Sequence, residues 1–166
     1  MAVRDVEEIS GIAVDHGLRI HRELGPGLLE SVYETVLAAS LMRAGLKVER
    51  QRPVSITFED MEFANAFRID LLVEDQLIIE IKSVETSSRA HHKQLLTYLR
   101  LMHQPVGLLM NFGCATFKEG LSRVVNNHKN FASSRLRVNQ SKPSVSTNTG
   151  LWESFSIESH APISPM

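Results

Sequence analysis

The chain has 166 residues, of which 43% are hydrophobic, and a formal net charge of −1 at pH 7. These values predict one domain with an ordinary hydrophobic core, and they exclude the strongly basic composition of a nonspecific DNA-binding protein. The single cysteine, Cys114, excludes an intramolecular disulfide. Because the chain shows no apolar signal region at its N-terminus and no apolar run of about 18 residues, we expect a cytoplasmic protein that does not enter a membrane.

The predicted elements follow one another as helix, helix, strands, helix and strand. The first half holds an amphipathic helix at residues 5–24, a second helix at 28–43, and short extended stretches at 46–50 and 53–59. The second half holds a β-hairpin of strands 65–74 and 77–83, a helix at 89–103, a buried strand at 106–111 and a last strand at 121–126. A helix after the hairpin allows a crossover connection, so this order predicts an α/β fold with a mixed central sheet flanked by helices.

The chain changes character after residue 130. Residues 131–166 contain nine serines and three prolines and show little periodicity. We therefore predict one domain at residues 1–130, followed by a serine-rich tail that is disordered or loosely attached.

Charge is unevenly distributed within the predicted domain. Residues 1–80 carry 8 Lys and Arg against 15 Asp and Glu, whereas residues 81–130 carry 7 against 2. The basic second part is compatible with a surface that faces phosphates, and ordinary variation in surface charge explains it equally well.

The hairpin at residues 65–83 alternates between apolar and polar positions. One face carries the apolar side chains of Ile69, Leu71, Val73, Leu77, Ile79 and Ile81, and the other carries Arg68, Asp70, Glu80 and Lys82. If residues 74–76 form the turn, Asp70 lies opposite Glu80 and Arg68 lies opposite Lys82. A two-residue turn at 75–76 would split the apolar set, so we prefer the first register.

Two carboxylates on one face of a sheet need a compensating charge. At about 5 Å apart they repel by ~3 kcal/mol at an effective dielectric constant of about 20. A hard divalent cation such as Mg²⁺ would offset this repulsion, and with Lys82 nearby the set would suit phosphodiester hydrolysis. Arg68 and Lys82 could instead neutralise Asp70 and Glu80 on a solvated sheet face. Spacing alone leaves both interpretations open.

Several motifs resemble one nuclease family, and they occur along the chain in the order of that family. Asp70 and Glu80-Ile81-Lys82 are similar to the PD-(D/E)XK nuclease superfamily, with Ile69 where the superfamily name has proline. The segment Gly27-Leu28-Leu29-Glu30-Ser31-Val32-Tyr33 resembles the motif that names the bacterial GxxExxY branch of that superfamily. Residues 21–27, 94–99 and 107–113 are similar to the same branch, and the resemblance covers roughly residues 5–127.

The resemblance implies a restriction-endonuclease-like core of order αβββαβ and a site that takes Mg²⁺ or Mn²⁺. Its ligands would be the carboxylates of Asp70 and Glu80 and the backbone carbonyl of Ile81. Lys82 would be the catalytic lysine, and Glu30 would approach the metal from the helix before the sheet. Its position alone favours a simpler role, in which Glu30 interacts with the dipole of its own helix, and only the motif match favours the role in the site.

Three further residues are candidates through the same resemblance. Gln94 and Tyr98 are four residues apart on one helix face, and they would support the site or contact nucleic acid. His21 is a candidate additional metal ligand, although the seven histidines show no zinc-like spacing.

These residues predict a divalent-metal-dependent nuclease that acts on DNA or, less readily, on RNA. The alternative is a non-catalytic module of the same fold that binds nucleic acid or a protein partner. The chain could also work as a homodimer, or as a small subunit of a repair or defence complex.

Overall fold

The computed structural model of the chain describes residues 4–126 and 136–139. Its helices are α1 (Val6–Leu24), α2 (Glu30–Arg43), α3 (Arg89–Leu101) and α4 (Phe117–Gly120). Its strands are β1 (Val48–Phe58), β2 (Met61–Val73), β3 (Leu77–Lys82), β4 (Val106–Asn111), β5 (Leu121–Val125) and β6 (Leu136–Asn139). The strands form one sheet in the order β5-β4-β3-β2-β1-β6. Strands β3 and β4 are parallel and the other neighbours are antiparallel, which confirms the predicted α/β fold with a mixed sheet flanked by helices.

The helices begin and end at local capping signals. Asp5 caps α1 by accepting a hydrogen bond from the Glu8 N–H at 2.8 Å, and Gly25 follows the last turn at a φ of 69°. Ser88 caps α3 by accepting a hydrogen bond from the His91 N–H at 3.3 Å. The short helix α4 was not among the predicted elements, and its signal is Thr116, whose hydroxyl accepts a hydrogen bond from the Glu119 N–H.

Two apolar clusters hold the helices against opposite faces of the sheet. The first joins α1, α2 and α4 to the sheet and includes Ile9, Ala13, Tyr33, Leu37, Leu71, Ile79, Ile81 and Phe117. The second joins α3 to the sheet and includes Ile69, Leu72, Ile78, Leu95, Tyr98 and Leu109. The central strands β3 and β4 are therefore buried on both faces, which is typical of a sheet with a parallel crossover.

Strands β2 and β3 pair in the predicted register as far as Leu71. The pairs are Leu71 with Ile79, Leu72 with Ile78 and Val73 with Leu77. The prediction that Asp70 and Glu80 form the next strand pair is wrong, because the Asp70 Oδ2 accepts a hydrogen bond from the Ile81 N–H at 2.9 Å. A side chain thus binds the N–H that a continued ladder would direct to the neighbouring strand. The prediction that Ile69 shares the apolar face of Leu71 is also wrong, since Ile69 packs in the α3 cluster.

Strand β1 runs through Pro53 as one element, where two short stretches were predicted. Pro53 pairs with Arg68 on β2, and β6 pairs with β1 at Ser55–Phe58, beyond the proline. Proline lacks the N–H of a ladder, so it suits a part of β1 whose other edge has no strand partner among the described residues.

The predicted C-terminal tail falls largely outside the described residues. Four of its residues, Leu136–Asn139, form β6, and residues 127–135 and 140–166 lie outside the description. The domain boundary at residue 130 therefore remains a prediction. Among the helices of the described ranges, none has the length and apolar character needed to cross a membrane.

Candidate active site

Strands β2 and β3 separate between Asp70 and Glu80, and charged side chains gather at this opening. Glu80 exposes only 3% of its surface. Lys82 donates a hydrogen bond from Nζ to Glu80 Oε1 at 2.8 Å. The other carboxylate oxygen, Glu80 Oε2, is buried and has no hydrogen-bond partner among the described residues. A buried carboxylate oxygen in this condition is a natural place for a cation.

The electrostatic environment opposes charge on the two acids. Burial raises the pKa of Glu80 to about 7, and the negative charge of Asp70 contributes to this rise, while the hydrogen bond from Lys82 lowers it. Burial also raises the pKa of Asp70, against the lowering effect of the Ile81 hydrogen bond.

The ammonium of Lys82 is held in its charged form by the same acids. Burial lowers the pKa of Lys82, but its hydrogen bond to Glu80 and the charges of Glu80, Asp70 and Glu30 outweigh this effect, so the pKa is raised. Of the two predicted neutralising cations, Lys82 pairs with Glu80, whereas Arg68 is exposed and forms no ion pair with a described residue. The charge-neutralising interpretation therefore holds for one of the two acids.

Glu30 lies beside this pair and is held by the chain after β3. Its Oε1 accepts a hydrogen bond from the Ser83 N–H at 3.1 Å, and its charge raises the pKa of Glu80. Within residues 4–126 and 136–139, no group of three or more His, Cys, Asp or Glu is arranged to hold a metal ion. The structure thus brings Asp70 and Glu80 together, but not all three predicted carboxylates around one point.

The Gly27–Tyr33 motif shapes the approach to the site. Gly27 has a φ of 107°, which favours glycine. The Tyr33 hydroxyl donates to the Gly25 carbonyl at 2.6 Å and accepts from the Leu28 N–H at 3.2 Å, and the Tyr33 ring stacks on Phe112 at 4.4 Å between centroids. An open cleft of about 580 Å³ lies here, lined by Gly27, Leu28, Leu29, Glu30, Ser31 and Ser83. The motif thus fixes the turn that carries Glu30.

A buried asparagine also fixes the segment after Lys82. Asn111 is fully buried at the end of β4, where its Oδ1 accepts from the Val84 N–H at 3.0 Å and its Nδ2 donates to the Val84 carbonyl at 2.8 Å. The strand that carries Glu80 and Lys82 is therefore anchored at its exit by both Asn111 and Glu30.

Two residues that the sequence did not single out affect Asp70: Gln51 contacts it, and Glu34 acts on it through its charge. Gln51 donates a hydrogen bond from Nε2 to Asp70 Oδ1 at 3.3 Å and to Glu34 Oε2 at 2.6 Å, and Glu34 also accepts from Arg50 Nε at 2.9 Å. Glu34 is buried and its charge raises the pKa of Asp70. Its signal in the sequence is its position four residues after Glu30, which places both acids on one helix face. Gln51 adopts a φ of 48° within β1, which no sequence signal indicated.

Gln94 and Tyr98 are joined on the α3 side of the sheet. Gln94 donates from Nε2 to the Tyr98 hydroxyl at 2.7 Å, and the Tyr98 ring stacks on Phe67 with centroids 4.2 Å apart. Burial raises the pKa of Tyr98, the Gln94 hydrogen bond lowers it, and the charge of Glu80 raises it. The pair therefore lies within electrostatic reach of the opening.

His21 is occupied elsewhere in the core. Its Nε2 forms a hydrogen bond with the Cys114 carbonyl at 3.0 Å, and its ring contacts Phe112 and Phe117. None of its described contacts is with Asp70 or Glu80. The structure does not bring this candidate ligand to the pair of acids.

The residues at the opening fit a divalent metal ion in their chemistry. Mg²⁺ typically takes one or two carboxylates and completes its coordination with water and substrate phosphate. Asp70 and Glu80 supply two carboxylates, and Glu80 Oε2 is without a hydrogen-bond partner in the described part of the chain.

A family model described as the PD-(D/E)XK nuclease superfamily matches residues 7–124. This match spans the chain from α1 to β5 and includes all of the residues at the opening. No curated protein and no solved structure matches the chain.

Proposed function

The chain belongs to the PD-(D/E)XK nuclease superfamily, and from this we propose that it hydrolyses phosphodiester bonds of DNA with Mg²⁺ or Mn²⁺. The supporting observation is Glu80 Oε2, a buried carboxylate oxygen without a hydrogen-bond partner among the described residues. Leaving such a group unsatisfied costs about 1–3 kcal/mol or more. A metal ligand explains that cost, whereas a sheet built for stability alone would not include it. The Gly27–Tyr33 motif supports the GxxExxY branch as the finer assignment.

In this proposal Asp70 and Glu80 hold the ion, with the Ile81 carbonyl as a third ligand. A bound divalent ion supplies positive charge to a phosphoryl oxygen and lowers the pKa of a coordinated water. Lys82 is held by Glu80, and its ammonium stabilises the negative charge that develops on the phosphate. Glu30 acts on the same site by holding Ser83, the residue that follows Lys82.

Three other side chains have supporting roles in the same proposal. Gln51 orients Asp70 through its hydrogen bond to Oδ1. On the other side of the sheet, the hydrogen-bonded pair of Gln94 and Tyr98 supports the opening or contacts the nucleic acid.

Cleavage assays with matched variants test this function. The purified full chain is incubated with supercoiled plasmid, linear duplex DNA, single-stranded DNA and RNA in Mg²⁺, Mn²⁺ or EDTA. We expect metal-dependent cleavage of DNA that falls by at least about 100-fold in Glu80→Gln and in Lys82→Met. Glu62→Gln removes an exposed acid from the far end of β2 and should retain full activity. Equal cleavage by the wild type and both site variants would identify a contaminating nuclease and refute the proposal.

Calorimetry with Mn²⁺ separates this function from a non-catalytic binding module. If the wild type binds Mn²⁺ and Glu80→Gln does not, the metal site is supported even when none of the substrates in the cleavage assays is cut. Absence of Mn²⁺ binding, together with salt-sensitive DNA binding, would instead favour the module. We also propose that the protein is cytoplasmic and forms a homodimer or a complex with a protein partner. Size-exclusion chromatography of the purified chain, alone and mixed with cell extract, tests the assembly.

A further inference from the structure

A second polar pocket lies on the outer side of α1 and α2. It encloses about 410 Å³ and is lined by His16, Arg19, Ser40, Arg43 and Ala44. Ser40 is ten residues after Glu30 on α2, so it lies roughly 15 Å further along the helix axis. The pocket is therefore separate from the opening between β2 and β3.

A buried serine hydroxyl organises the donors of this pocket. Ser40 is only 2% exposed, and its Oγ accepts a hydrogen bond from Arg19 Nη2 at 2.7 Å. The same Oγ forms a hydrogen bond with His16 Nδ1 at 2.6 Å. These contacts fix one guanidinium and one imidazole from α1 against α2, while His16 Nε2 has no hydrogen-bond partner among the described residues.

Neither guanidinium of the pocket pairs with a carboxylate of the described residues. Neither Arg19 nor Arg43 forms an ion pair with any residue of the described ranges, whereas four other arginines do, namely Arg4, Arg50, Arg52 and Arg123. The charges of Arg19 and Arg43 also lower the pKa of His16, after the larger effect of burial, while Asp15 raises it. The pocket therefore concentrates positive charge within the acidic half of the chain.

We propose that the pocket of His16, Arg19, Ser40 and Arg43 binds a phosphate group. Two guanidiniums present several N–H donors in planar forks that match the oxygens of phosphate. The phosphate could belong to a nucleic-acid backbone or to a free phosphorylated small molecule, since both present the same chemistry. This site does not depend on the nuclease proposal.

Binding is expected to depend on pH through His16. An anion in the pocket offsets the charges of Arg19 and Arg43, so it favours the protonated imidazole, and the neighbouring Asp15 acts in the same direction. Affinity for an anion of fixed charge should therefore rise as the pH falls from about 8 to about 6.

Anion titrations of the full chain test the phosphate pocket, and EDTA keeps metal ions away from Asp70 and Glu80. Sulfate, whose charge is constant over this range, is titrated at pH 8 and pH 6, and the response is followed by NMR at the His16 ring and the α1 and α2 amides. We expect Arg43→Gln to weaken sulfate and inorganic phosphate binding by at least about tenfold. Arg43 is exposed, so this variant should fold. Arg22→Gln, which removes an exposed arginine of α1 outside the pocket, should bind like the wild type.

A short single-stranded oligonucleotide distinguishes the two sources of phosphate. Competition between the oligonucleotide and phosphate, lost in Arg43→Gln, would assign the pocket to a nucleic-acid backbone. Phosphate binding that the oligonucleotide does not displace would assign it to a free phosphorylated ligand. Equal anion binding by the wild type and Arg43→Gln, or no shift at these helices in about 50 mM phosphate, would overturn the proposal.

Discussion

The buried carboxyl of Glu80 predicts that Glu80→Gln stabilises the metal-free protein at alkaline pH. Its pKa rises from an ordinary value of 4.5 to about 7 in the folded protein. Between these values the unfolded chain has lost this proton while the folded chain keeps it, so the free energy of unfolding falls as the pH rises. At about 1.4 kcal/mol per pKa unit, the full effect above pH 7 is roughly 3 kcal/mol.

Glutamine has the shape of glutamate but does not ionise, and its Oε1 can still accept the hydrogen bond from Lys82. We therefore expect the free energy of unfolding of Glu80→Gln to rise relative to that of the wild type by roughly 3 kcal/mol as the pH increases from about 4 to about 8. Urea denaturation of both proteins in EDTA, followed by circular dichroism across this range, measures the difference. Glu62→Gln is the control with an exposed acid and should follow the wild type. Mg²⁺ at pH 8 should narrow the difference, because the ion binds the charged form.

The pH dependence of this difference is the decisive quantity. A constant offset reflects the amide group that replaces Oε2, not the charge. If the two stability curves run parallel from pH 4 to pH 8, Glu80 ionises normally in the folded protein. In that case the inference from its burial would be refuted.

Two further predictions concern close packing and the strand opening. An alanine Cβ at Gly17 would lie 2.5 Å from Phe117 Cζ, so Gly17→Ala should lower the free energy of unfolding by about 1–3 kcal/mol. Gly11→Ala, whose Cβ would meet nothing within 4 Å, should raise it by about 0.5–1 kcal/mol. Urea denaturation measures both variants, and equal effects would contradict the packing of α1 against Phe117. Asp70→Ala leaves the Ile81 N–H without its acceptor and should cost about 1–3 kcal/mol, while Asp70→Asn keeps an acceptor and should lose cleavage at nearly wild-type stability. Equal stability of the two Asp70 variants would show that this hydrogen bond contributes little.

The sequence predicted the paired part of the hairpin because burial decides strand register. The alternation of Leu71, Val73, Leu77 and Ile79 favours this pairing over one shifted by a single residue, and that pairing is observed. Where the pairing ends depends on a single side chain, Asp70, which binds a backbone N–H. Periodicity carries no information about such a contact, so the predicted Asp70–Glu80 strand pair was wrong although both acids do lie at one opening.

The surroundings of the site were harder to predict than its acids. Gln51 on β1 contacts Asp70 from a backbone conformation with positive φ, and it also binds Glu34 on α2. The hydrophobic periodicity of one helix or strand does not indicate which side chains of another element will contact it. The pairing of Arg19 and His16 with Ser40 across two helices is a contact of the same kind.

The hydrogen bond between Asp70 and the Ile81 N–H gives this aspartate a structural role that does not depend on the proposed catalytic one. A descendant of the chain without the proposed nuclease activity would still need an acceptor at position 70, so selection for a stable sheet would keep Asp or Asn there. Selection for stability acts in the opposite direction at Glu80, because its buried charge lowers the stability of the fold when no cation is bound. Inactive descendants should therefore diverge first at position 80, and an aspartate at position 70 alone is a poor guide to whether a relative still cleaves its substrate.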